Sequence, residues 1–176
     1  MFGSSAESRS RFGFLLALVA LGSTSCAGGR FEAGVYRDSR TAYRIGSLDA
    51  AWSRFDLSGS NLAFRHPSGG SILINSTCEG IKDVPLEVLV NQSLFGVEQK
   101  HELEREGFTL DGRAAIRVRL TGALDGVAVH LDLVILKKDD CVYDLELVAG
   151  ERAFPASDQD FWRFAQGFQQ LPMGSP

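Results

Sequence analysis

Residues 101–149 constrain this chain more than any other stretch, because two AspGly dipeptides, Asp111-Gly112 and Asp125-Gly126, interrupt runs of alternating apolar and polar residues. Such a dipeptide accepts the positive φ that a two-residue hairpin turn needs at both central positions. Taking each as a turn pairs Leu110 with Arg113 and Leu124 with Val127, which predicts consecutive antiparallel strands and sets Leu103, Leu120 and Leu131 in one row. A third connection, read as a loop of Lys138, Asp139 and Asp140, pairs Lys137 with Cys141 and puts Leu131 opposite Leu147. The core face expected from these registers is Ala114, Ile116, Val118, Leu120, Val129, Leu131, Leu133, Ile135, Tyr143, Leu145 and Leu147. On the opposite face Glu104, Arg119, Asp132 and Glu146 line up, with Glu106 beside Arg117. This ladder reads as exposed cross-strand ion pairing rather than as a binding surface.

Upstream, short strands are expected at residues 52–57, 61–65 and 71–75, separated by Ser58-Gly59 and by Pro67-Ser68-Gly69-Gly70. Asp83 and Pro85 mark a helix start, followed by Leu86, Leu89, Val90, Leu94 and Val97 on one face. A closing helix is expected with Ser157 as its N-cap and Phe161, Phe164, Ala165, Phe168 and Leu171 at helical spacing. The hydrophobic share of 44% and charged share of 23% fit an ordinary globular domain, and no linker or repeat divides residues 36–176. The expected class is α+β: a six- or seven-stranded antiparallel sheet packed with two helices as a sandwich.

The amino terminus reads as an address. Arg9 and Arg11 precede an apolar run at residues 12–22, then small residues Ser23, Thr24 and Ser25, then Cys26. A helix over that run rises only about 17 Å, against about 30 Å of hydrocarbon core, so residues 1–25 fit a secretory signal peptide and not a spanning helix. Cys26 after small residues resembles the lipobox of bacterial lipoproteins, although Ser23 stands where that signal usually has Leu. The resemblance implies acyl chains such as palmitate on Cys26, with residues 26–35 as lipidated Cys and tether. It also implies a lipid-anchored position on the periplasmic side of the outer or inner membrane of a bacterial cell envelope. The alternative is an ordinary signal peptide cut near Ser25 or Ala27, leaving a secreted protein. Losing residues 1–25 removes two of 18 basic and one of 22 acidic residues, for a mature charge of −5. That balance shows no basic stripe, so it points away from nucleic acid and from direct binding to anionic lipid.

In an oxidising compartment the two remaining thiols, Cys78 and Cys141, permit one disulfide; the alternative is two buried free cysteines. His66, His101 and His130 are scattered, with no metal-ligand spacing to either Cys, and the expectation is no metal and no cofactor. Ser58, Ser60, Ser68 and Ser71 lie in turns without a nucleophile elbow. His101-Glu102 lacks the second His of a zincin helix, with Arg105 in its place. Asp139-Asp140 is a Lys-flanked turn. No catalytic residue is expected.

Several pieces together resemble the PsbP fold, shared by an extrinsic photosystem subunit, a nuclear-transport factor and bacterial lipoproteins of the LpqN type. They are the aromatic entry segment at residues 43–52, the mid-chain helix, the AspGlyArgAlaAla hairpin at 111–115 and the closing PheTrpArgPheAlaGlnGlyPhe at 161–168. The resemblance implies a non-enzymatic accessory or interaction module with an envelope protein partner. The alternative is a carrier or sensor of a small apolar, lipid-like ligand serving an envelope transport system. An exposed apolar patch favours the first, and a closed pocket lined by the mid-chain helix favours the second.

Overall fold

The structure, a computed structural model, describes residues 29–79 and 83–173. The expected signal peptide, Cys26 and the tether's first residues lie outside the described residues. In chain order the elements are β1 (Arg30–Glu32), β2 (Val35–Arg37), β3 (Ala42–Arg44), β4 (Ser53–Phe55), β5 (Leu62–Arg65) and β6 (Gly70–Thr77). They continue as α1 (Leu86–Ser93), β7 (Glu98–Leu110), β8 (Arg113–Leu124), β9 (Val127–Lys138), β10 (Cys141–Ala149), α2 (Phe154–Gln166) and β11 (Gln169–Gln170). Two antiparallel sheets result: seven strands in the order β4-β5-β6-β10-β9-β8-β7, and four in the order β1-β2-β3-β11. The α+β class holds, with a second small sheet beyond the expected one.

Both AspGly dipeptides are two-residue turns with φ of 47° and 74° at Asp111-Gly112 and 49° and 78° at Asp125-Gly126. Leu110 faces Arg113 and Leu124 faces Val127, as the turn chemistry requires. Two expectations from the same stretch fail. Leu103 is the extra residue at an irregularity of β7 between Glu102 and Glu104, so Leu120 faces Glu102 and Leu103 is left 53% exposed. The third connection is also two residues long: Asp139 and Asp140 both take positive φ, 50° and 60°, and Lys138 faces Cys141. Leu131 therefore faces Val148, and Leu147 faces Asp132.

That one-residue slip changes the core. Tyr143, Leu145 and Leu147 point to the opposite face of the sheet from Leu131, Leu133 and Ile135. Ala114 is exposed rather than part of either core. The central strands are buried on both faces, which explains their long apolar runs. Leu89 and Val90 of α1 pack with Val118, Leu120, Leu131, Leu133 and Ile135 on one side. Phe161, Phe164 and Ala165 of α2, with Tyr36 and Tyr43 of the small sheet, pack with Tyr143, Leu145 and Leu147 on the other.

Helix limits differ from expectation for local reasons. Pro85 caps α1, and the chain leaves the helix through Leu94 to Gly96, whose φ is 89°, so Val97 joins the same core from the approach to β7. Helix α2 begins at Phe154 with Pro155 in its first turn, where a missing N–H costs nothing, and Ser157 is an interior buried residue, not the N-cap. The folded unit also starts before Tyr36. Ala33 and Gly34 close the β1–β2 hairpin with φ of 49° and 76°, so residues 30–35 are strand and turn rather than tether.

Candidate functional site

A largely apolar concavity lies where the amino-terminal hairpin meets the large sheet. Phe31, Ile45, Leu48, Trp52 and Phe64 line an open groove of about 440 Å³, with Arg44 and Asp49 at its rim. Its walls are held by aromatic packing: the Phe31 and Phe64 rings meet edge to face at 5.8 Å, and Phe64 meets Phe164 of α2 at 6.0 Å. The Trp52 indole N–H donates to Asp160 Oδ2 at 2.9 Å, which fixes the ring across from α2. Arg54 lies over the Phe31 ring at 5.7 Å. The groove's floor depends on Gly46, whose N–H donates to the Phe164 carbonyl at 2.9 Å. A Cβ there would stand 2.1 Å from the Arg163 carbonyl oxygen, so the loop approaches α2 this closely only with glycine.

Beside the groove runs a polar chain. The Tyr36 hydroxyl donates to Asp38 and accepts from Asn61, whose side-chain carbonyl accepts from the Ser76 hydroxyl. Burial, then the adjacent Asp38 carboxylate, push the Tyr36 hydroxyl up to about 12. A second open cavity of about 520 Å³ lies here, lined by Tyr36, Asp38, Arg40, Arg54, Asp56 and Asn61. A phenol held protonated is a structural donor here rather than a base.

The charge ladder keeps its expected register for Glu104, Arg119 and Asp132 and for Glu106 beside Arg117, but the ion pairs within it differ. Arg117, not Arg119, is Asp132's partner, donating from Nε and Nη2 to both carboxylate oxygens, and Asp132 is fully buried. The Arg117 guanidinium also reaches Asp158 of α2 at 3.0 Å and lies 4.1 Å over the Trp162 ring. Arg119 bonds Glu104 and lies 3.8 Å from Asp158. Burial is the largest influence on Asp132 and, against the pull of Arg117, holds its carboxyl up at about 7. The expected exposed ladder is thus a network half sealed beneath α2. Glu146 is not part of it: the slipped register carries it to the α1 face beside Leu133. There burial and the neighbouring Asp144 push its carboxyl up to about 7. Burial also raises Asp144, whose partner is the Asn75 amide at 3.1 Å.

Cys78, just past β6, and Cys141, first residue of β10, are joined as a disulfide with Cα atoms 4.0 Å apart. His66 stays in its turn, 2.6 Å from the Ser68 hydroxyl; His101 is exposed on β7; His130 stacks on Phe154 at 4.9 Å. Among the described residues no three His, Cys, Asp or Glu side chains are grouped to hold a metal. Two cavities next to α1 hold about 260 and 270 Å³ and include Asp144, Lys100, Glu102 and Arg105 in their walls, so these two are small and charged. No described helix is long and apolar enough to cross a membrane.

Sequence reasoning did not single out the groove. Phe31 fell in the expected tether, and the other walls come from segments that no local pattern joins. The available signal was the β-forming Phe31, Val35 and Tyr36 around a turn containing Gly34.

No protein-family model matches the chain, and no curated protein matches it. Solved structures do. The chain is similar to cyanobacterial PsbP (CyanoP) from Synechocystis, at 16% identity and a TM-score of 0.55, covering 88% of this chain and 99% of that one. It is similar to LpqN, involved in cell envelope biogenesis of Mycobacterium tuberculosis, at 12% identity and 0.54, over 75% and 86%. A Pseudomonas aeruginosa protein of unknown function matches at 16% identity and 0.51, over 80% and 97%. The fold is PsbP-like.

Proposed function

We propose that this chain is a lipoprotein of the bacterial cell envelope, anchored through Cys26, that works as a non-enzymatic accessory module by docking apolar side chains of an envelope protein in the groove between hairpin and sheet. The observation that carries this reading is the groove itself: open, walled by Phe31, Trp52 and Phe64, and built on a hairpin that begins four residues after Cys26. Open concavities with aromatic walls suit protein anchors. The leader of Arg9, Arg11, apolar run and Cys26 supports the address, and the likeness of fold to a protein of envelope biogenesis agrees with it. A carrier of small apolar ligands is the weaker reading, because the two cavities beside α1 are small and charged while the apolar groove is open to solvent.

Two measurements test the two halves. Metabolic labelling with an alkyne fatty acid should mark the wild-type chain and not Cys26→Ser; an unlabelled wild-type chain overturns the anchor. A photo-crosslinking residue at Leu48, in intact cells, should give a discrete protein adduct that a probe at exposed Leu57 does not. Adducts with lipid alone would favour the carrier, and equal adducts at both positions would overturn docking in the groove.

A further inference from the structure

Against the expectation from net charge, we infer that the outer face of the small sheet is a cationic contact surface for anionic phospholipid headgroups. Strand register makes this face. Arg30 stands directly opposite Arg37, and Arg44 stands opposite both Val35 and Gln169. The alternate residues Phe31, Tyr36 and Tyr43 turn inward, with Tyr36 and Tyr43 buried in the core, so the three arginines share the outward side. Two like charges directly opposite each other weaken a strand pair, yet the three-residue strands β1 and β2 carry them. One carboxylate of the same strands, Glu32, pairs with Arg30 at 2.9 Å. Arg37 and Arg44 are exposed and form no ion pair with the described carboxylates.

The whole chain is polarised in the same sense. Residues 26–65 carry six arginines against four carboxylates, whereas residues 66–176 carry ten basic against 17 acidic groups. The stretch that follows Cys26 is therefore the positive part of the sequence, the sign that a negative surface attracts. The distance is short as well. Four residue steps separate Cys26 from Arg30, a reach of about 14 Å when fully extended, against a screening length of about 8 Å at physiological salt. The orienting role rests on the anchor proposed above; the affinity of the face for anionic lipid does not.

The test uses the exported chain from residue 26 with Cys26→Ser, which keeps every residue of both cores, since these run from Phe31 to Val148 and Phe168. Its partition is measured onto vesicles of phosphatidylglycerol mixed with phosphatidylcholine, and onto phosphatidylcholine alone. Binding is expected to the mixed vesicles only and to weaken as salt rises. Each arginine near such a surface is worth about five-fold in partition. Arg37→Gln with Arg44→Gln should therefore lose about 25-fold, and Arg37→Glu with Arg44→Glu more, with melting unchanged because both side chains are exposed. Arg152→Glu, on the turn before α2, should leave binding near wild type. Equal partition onto both vesicles, an equal loss from Arg152→Glu, or retention on a soluble polyanion without partition onto vesicles overturns the assignment. Because this chain has no acyl group, failure here leaves the labelling of Cys26 as a separate result.

Discussion

The two faces of the seven-stranded sheet treat their carboxylates in opposite ways. Under α2, Asp132 is fully buried but receives hydrogen bonds from Arg117, whose guanidinium is held from above by Asp158 and the Trp162 ring. On the α1 side, Asp144 and Glu146 sit on β10; Asp144 accepts from the Asn75 amide, and no described cation pairs with either carboxylate. A thirteen-residue helix brings a carboxylate and an aromatic down onto its sheet, whereas the eight-residue α1 brings apolar side chains to β8 and β9. Burial raises the carboxyl groups on both faces, but among the described residues only the α2 face sets a cation against it. Charge is therefore part of the structure on one face and a burden on the other.

Breaking the α2 network should have the largest effect. Arg117→Ala strands buried Asp132 and is expected to destabilise by about 3–5 kcal/mol in denaturant titration. Arg117→Met combined with Asp132→Leu should recover most of that loss, because it removes the charges together. Replacing Cys78 and Cys141 by Ser opens a loop with a sequence separation of 63 residues. The chain-entropy estimate puts the loss at about 4 kcal/mol, and reduction of the wild-type chain should lower its melting temperature to match.

The α1 face is sharpened by pH. Glu146 holds its proton more tightly folded than unfolded, from an ordinary 4.5 up to about 7. Its contribution is thus complete below pH about 4.5 and is lost as pH rises through about 7. Asp132 runs in the same direction, from 3.8 up to about 7. Glu146→Gln is expected to stabilise the protein at pH 8 by about 1–3 kcal/mol and to flatten the dependence of stability on pH. If Glu146→Gln left the pH profile unchanged, the contrast between the faces would rest on Asp132 alone. The smallest effect belongs to Arg119→Ala, whose partners are partly exposed: about 0.2–1 kcal/mol.

How much of this was legible depended on how local the chemistry is. AspGly announces its turn, and two of the three hairpin registers in residues 101–149 follow from it. Asp139-Asp140 makes the same turn without the glycine that would announce it, because Asp tolerates the left-handed region. One residue too many in that loop puts Tyr143, Leu145 and Leu147 on the wrong face and Glu146 in a ladder it does not join. The irregularity at Leu103 was invisible for a similar reason, since alternation through Glu102 and Glu104 continues on either side of it. The small sheet had no periodic signature: its strands are two or three residues long, and its last member lies far along the chain. The groove inherits that difficulty. Phe31, Trp52 and Phe64 become neighbours only when sheet and hairpin meet.

The pairing of β11 with β3 sets an order of events. Gln169 faces Arg44 and Gln170 faces Tyr43, and the Leu171 N–H donates to the Ala42 carbonyl. A chain made amino end first cannot complete its small sheet until residue 170 has emerged, so the element nearest the start of the folded unit is the last to close. The earliest strands wait through the synthesis of everything between, and contacts this distant in sequence slow folding. Truncation ahead of Gln169 would accordingly loosen the distant segment Ala42 to Arg44 before it disturbed the central hairpins.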